Sequence, residues 1–127
     1  MVIVSYAYDR HFADESPLGA VRRVLTAARW PRGLSRAQVD HWFPELAPEA
    51  ELRIAHAAAR IGDGEYLRRY MESLADPRKQ AALVTLQVLA RQYDLVLLSL
   101  RREVESSHLQ AVRRILSSRP VENTLPS

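Results

Sequence analysis

The spacing of apolar positions divides the chain into strand-like ends and a helical middle. Val2-Ile3-Val4-Ser5-Tyr6-Ala7-Tyr8 is β-branched and aromatic and predicts a first strand. A polar loop follows from Asp9 to Gly19, closed by Ser16-Pro17. Val21 to Ala27 fits strand or helix by period alone. Trp30-Pro31 ends that segment in either case, because a residue before proline is driven out of the α region. Ser35-Arg36-Ala37-Gln38 predicts a short capped turn, and His41 to Leu46 an extended or irregular stretch interrupted by Pro44.

The middle reads as three helices. Pro48 suits a first helical position, with Glu49 and Glu51 complementing the helix dipole, and the pattern runs to Ile61 with Gly62 as its C′ residue. Asp63 is expected to cap the next helix, whose inward face carries Leu67, Tyr70, Met71 and Leu74. Asp76-Pro77 is a stop and restart: a cap followed by proline at the first helical position. The third helix presents Ala82, Leu86, Leu89, Ala90 and Tyr93 on one face. Leu95 to Leu100 is then almost continuously apolar, the pattern of a strand covered on both faces. Ser107 and Gln110 form a capping box for a last helix with Leu109, Val112, Ile115 and Leu116 inward and Arg113 and Arg114 outward. Arg119-Pro120 ends it. The expectation is one α/β domain over residues 1–120, three-layer-like, with a mostly parallel sheet and packed helices, and a loose tail over 121–127.

Composition narrows the classes without naming one. The 127 residues are 47% hydrophobic and 26% charged, enough to bury a core without staples. Cysteine is absent, which excludes a disulfide scaffold, a thiolate metal site and a cysteine nucleophile. No apolar run is long enough to span a bilayer, and Met1 to Phe12 does not read as a signal peptide, so a cytoplasmic protein is expected. The net charge is +3, and Lys79 is the only lysine among the bases. Arginine matches phosphate bidentately, but codon bias explains the excess as simply, and +3 is a weak nucleic-acid footprint. The pairs Arg22-Arg23, Arg68-Arg69, Arg101-Arg102 and Arg113-Arg114 scatter over different elements without interleaved aromatics. Nucleic-acid binding is therefore disfavoured. The four glycines fit no phosphate loop, and no cofactor is signalled.

In order along the chain stand Tyr8-Asp9, Trp30-Pro31-Arg32-Gly33, Trp42, Glu45-Leu46-Ala47-Pro48, Glu51-Leu52-Arg53, Tyr66, Tyr70, Leu74, and finally Glu103 and His108. This series resembles the DUF488 family in its YeaO-like branch, over nearly the whole chain. The resemblance implies that Val21 to Ala27 is a strand. It implies no activity, since the family's function is uncharacterised. Departures accompany it. Ala27 and Ala28 replace the family's Asp-Arg, Pro44 its lysine, and Ser106 and Ser107 the first two residues of His-Asn-His.

Arg32 and His108 are the leading candidates for chemistry. Ligands of open α/β sheets collect beyond the carboxyl ends of strands, and a helix start offers free N–H groups to an anion. Arg32 would hold a phosphate or carboxylate, and His108 would serve as acid or base near neutral pH. The simpler alternative is that Arg32 braces a loop and His108 decorates a helix turn. Trp30 and Tyr70 are pocket-lining candidates with core packing as their commoner role. Asp9 is a further candidate ligand contact, or a turn residue. A metal site at Asp9, His11, Asp14 and Glu15 is disfavoured, because His41 and His56 complete no ligand spacing. The functional expectation is a small-anion pocket with or without catalysis. The alternative is a nucleic-acid-associated or partner-binding module whose site has degenerated. The sequence sets no oligomeric state.

Overall fold

Side chains alternate across a strand, so a strand with consecutive buried residues needs cover on both faces. The structure, a computed structural model, describes residues 1–8 and 21–117. Strands β1 (Val2–Tyr6), β2 (Val21–Leu25), β3 (His41–Trp42) and β4 (Asp94–Ser99) form one sheet in the order β1-β4-β2-β3. Every pairing is parallel; Leu97 of β4 lies opposite Val4 on one side and Val24 on the other. The ambiguous segment is thus a strand. Val24 and Leu25 are both fully buried and belong to opposite faces, an arrangement that a one-sided helix cannot supply.

Four helices, α1 (Ala50–Ala57), α2 (Asp63–Ser73), α3 (Pro77–Gln92) and α4 (Leu109–Ser117), cover one face. Leu52, Tyr66, Tyr70, Leu86, Leu109 and Val112 meet Val2, Val24, Leu95 and Leu97 in the larger core. On the other face, Trp30, Leu34 and Val39 pack with Leu25, Val96 and Leu98. The expected α/β architecture and parallel sheet are both present. The polar loop with Asp9, and the tail, lie outside the described residues. Among the described residues no helix is long and apolar enough to cross a membrane.

Several local expectations need correction. The first helix of the middle starts at Ala50, not Pro48, and ends at Ala57, short of Ile61. Its stop is Ala59, which adopts φ 58°. The Ala59 N–H reaches the His56 carbonyl and the Arg60 N–H reaches the Ala55 carbonyl, a complete Schellman closure without glycine. Gly62 therefore becomes the N-cap of α2, and Asp63 is its first helical residue rather than its cap. On α2 the buried row is Tyr66, Tyr70 and Leu74, spaced by four, with Leu67 beside it; Met71 is 43% exposed. Asp76 caps α3 as expected, accepting from the Arg78 N–H at 2.8 Å with Pro77 next in line. At α4, Ser107 Oγ accepts from the Leu109 N–H, but Gln110 donates to the Val104 carbonyl instead of closing the box.

Candidate functional site

Because all strands run the same way, the segments leaving β1, β2 and β4 gather at one edge of the sheet. The turn after β2 is held there by side chains. The Tyr8 hydroxyl donates to the Arg32 carbonyl at 2.8 Å, and Trp30 Nε1 donates to the Leu34 carbonyl at 2.7 Å. Gly33 takes φ 80°, a conformation costly for any residue with a Cβ, and lies against the Tyr8 ring. Trp30 meets Trp42 edge to face at 5.5 Å, the Arg36 guanidinium lies 4.6 Å above the Trp30 ring, and Trp42 Nε1 donates to the Ala27 carbonyl. The backbone of Trp30-Pro31-Arg32-Gly33 is therefore fixed. Arg32 itself is exposed, and among the described residues its guanidinium has no hydrogen-bond or ion-pair partner.

His108 occupies a different environment. Its Nε2 lies 2.8 Å from Thr26 Oγ1, and its ring meets Tyr70 edge to face at 5.1 Å. Thr26 is buried directly after β2. The residue keeps some surface, but burial of the ring, with the Lys79 charge second, pushes its pKa down to about 3. Desolvation outweighs the ordinary basicity of the ring, which favours the neutral imidazole. Tyr70 is fully buried, and its hydroxyl is committed to the Leu46 carbonyl at 2.6 Å. Burial pushes that phenol far above its ordinary range. Trp30 packs on the face opposite the one where Tyr70 packs, and no described contact joins Arg32 to His108. Asp9 lies outside the described residues.

Sequence reasoning missed two buried polar groups and their partners. His56 is 8% exposed and stacks on Tyr66 with centroids 3.9 Å apart and planes 8° from parallel. Its Nε2 lies 2.8 Å from Asp63 Oδ1, and its Nδ1 lies 3.0 Å from an Arg101 amino group. The available signal is a histidine towards the end of one expected helix and an aspartate opening the next, seven residues on. Lys79, 7% exposed, donates to the Glu45 carbonyl at 2.9 Å and approaches the Glu49 carboxylate at 3.8 Å. It ties the turn 44–46 to α3, a structural use of a rare lysine.

The remaining arginines are largely engaged at home. Arg22 stacks over Tyr93 at 4.0 Å, Arg23 pairs with Asp40 at 3.1 Å, and Arg68 and Arg69 pair with Glu65 and Glu72 along α2. Arg102 lies 5.0 Å over Tyr6, and Arg113 donates to the Val2 carbonyl. Among the described residues no group of three or more histidines and carboxylates is arranged to hold a metal. A recess of about 340 Å³ between α2, α3 and α4 is lined by Met71, Leu83, Val84 and Ile115, and a neighbouring one of about 290 Å³ by Leu67, Met71 and Arg114. Neither is lined by Arg32, Trp30, Tyr70 or His108.

Comparison with known proteins agrees with the order of motifs. A family profile described as "Inactive DUF488-N3 subclade" matches residues 8–125. The uncharacterised proteins Mb3100c of Mycobacterium bovis and Rv3073c of Mycobacterium tuberculosis are each 31% identical over 102 residues, covering 77% of this chain and 82% of the relative. No solved structure matches. The subclade's description argues against an enzymatic role. On these grounds the chain belongs to the DUF488 family, within its inactive N3 subclade.

Proposed function

We infer that this chain is a binding protein without catalysis, and that its ligand is a small anion, phosphate or carboxylate, taken at the carboxyl edge of the sheet. One observation carries the reading: the Arg32 backbone is clamped by Tyr8 while its exposed guanidinium has no partner among the described residues. A cation on a rigid turn loses little freedom when it meets an anion, and the planar fork suits two oxygens at once. Trp30 contributes by holding the turn through its bond to Leu34. Tyr70 has no share in ligand contact, since its hydroxyl is already used inside the core. His108 supplies scaffold, not protons.

The test is thermal denaturation of the wild type and Arg32→Ala with inorganic phosphate and acetate, against matched potassium chloride. Ligand at a hundred times its dissociation constant adds roughly 2.7 kcal/mol of stability, which in a domain of this size raises Tm by several degrees. The expected result is a rise in wild type that Arg32→Ala loses and Arg78→Ala keeps, Arg78 being an exposed cation elsewhere. No rise with either anion ends this reading. A partner-binding role would then lead, because Met71, Val84 and Val88 present apolar surface on α2 and α3.

A further inference from the structure

The corner where α1 turns into α2 holds a chain of three polar groups that anion binding does not use. Arg101 leaves the end of β4, its backbone fixed by the Ser99 hydroxyl, which donates to the Arg101 carbonyl at 2.8 Å and accepts from the Arg101 N–H at 3.1 Å. From there its guanidinium reaches His56 Nδ1 at 3.0 Å. A guanidinium only donates, so Nδ1 must be the bare nitrogen of the ring. The ring proton then sits on Nε2 and is donated to the Asp63 carboxylate at 2.8 Å. One protonation state satisfies both contacts, and it is the neutral imidazole.

We propose that the Asp63–His56–Arg101 chain is a proton-controlled latch that fastens the segment after β4 to the α1–α2 corner and opens when His56 gains a proton. A second proton can only go to Nδ1. There it turns an acceptor into a donor that faces the donor of Arg101, and it sets two positive charges side by side. The Nε2 contact to Asp63 survives and gains charge. The imidazole thus exchanges one partner for the other: neutral, it holds both Arg101 and Asp63; charged, it holds Asp63 and releases Arg101. Among the described residues, the groups facing the ring are those already named, with the Tyr66 ring stacked on its face, the Glu103 carboxylate 4.0 Å from Arg101 Nε and ready to receive the freed cation, and Arg53 a further positive charge near Tyr66. The latch is independent of any ligand at Arg32.

The experiment is a pH titration of the full chain by NMR, following the ring nitrogens of His56, the Nε–H signal of Arg101 and exchange of the backbone amides from Arg101 to Glu103. At neutral pH the proton of His56 is expected on Nε2. On acidification the Arg101 signal should shift along the same curve as His56. Amide exchange in 101–103 should rise about tenfold with it, the loss of one charge-assisted hydrogen bond. His56→Asn retains an acceptor in the place of Nδ1 and has no titrating proton, so its Arg101 signal should show no step. A proton found on Nδ1 at neutral pH, or an Arg101 signal indifferent to His56 in the wild type, overturns the proposal without recourse to any variant.

Discussion

Tyr66 and Tyr70 stand one turn apart on α2, and each has a histidine against its ring, yet the two corners differ in kind. At Tyr70, the one side-chain hydrogen bond of His108 among the described residues is to a threonine hydroxyl, and burial, with the Lys79 charge second, lowers its pKa. At Tyr66, His56 lies between a carboxylate and a guanidinium. In the first corner the direct contacts of the ring are uncharged, and in the second they are charged groups that reach the surface. His108 is therefore the more enclosed of the two. A motif records position in the chain, whereas reactivity depends on what the fold places beside the ring.

The largest expected effect breaks this comparison at His108. A histidine whose folded pKa is about 3 favours the native state fully only above its unfolded value near 6.5. Below that, the unfolded chain takes the proton and the folded one refuses it, so stability is lost as pH falls from about 6.5 towards 3. The loss reaches several kcal/mol if the ring stays enclosed. His108→Gln, which preserves a polar partner for Thr26, should flatten the dependence. Urea unfolding at pH 7 and pH 5 on both proteins checks it: the wild type should lose more stability between the two pH values than the variant. Equal losses would mean that the His108 corner opens readily to water.

How much of this was legible beforehand follows the same line. Strands at Val2, Val21 and Leu95 were readable because β-branched runs and two-sided burial leave a local trace, with family resemblance deciding the second. The Asp76-Pro77 restart was readable because cap and proline act within one turn. The stop of α1 was not, since it uses Ala59 where glycine was the expected signal, and only backbone closure marks it. Met71 departs from the expected inward face because α2 lies on the sheet by its 66–70–74 row, a rotation set by tertiary packing. His56 and Arg101 are 45 residues apart, and no spacing rule joins them. The strand-end rule brings Arg32 and His108 to one edge of the sheet, and no described contact joins their side chains.

The second expected effect sharpens the contrast between the tyrosines. The Tyr70 hydroxyl is buried and bonded, so Tyr70→Phe leaves the Leu46 carbonyl without its donor and should cost about 1–2 kcal/mol. Tyr66 contributes its ring face to His56, and phenylalanine preserves that face, so Tyr66→Phe should cost less than half as much. Chemical denaturation of the two variants side by side measures the difference. A Tyr66→Phe loss as large as that of Tyr70→Phe would mean that the hydroxyl, and not the stack, supports the His56 corner.

The smallest effect concerns two left-handed residues, one in the Arg32 turn and one beside the His56 corner. Gly33 holds φ 80° beside Tyr8 under the Arg32 turn, and Ala59 holds φ 58° at the end of α1, three residues past His56. Glycine reaches that region freely and alanine does not, a difference of about 1 kcal/mol. The chain thus has an unstrained turn beneath Arg32 and a strained one beside His56. Gly33→Ala should destabilise by about 1 kcal/mol and Ala59→Gly should stabilise by slightly less, since added freedom in the unfolded chain offsets part of the relief. Equilibrium unfolding of both variants at neutral pH gives the signs directly. Stabilisation by Ala59→Gly would establish that α1 ends at residue 57 by tertiary demand. The stacked His56 and its bond to Asp63 then fix where the helix must turn, and the strain at Ala59 is the cost of that geometry.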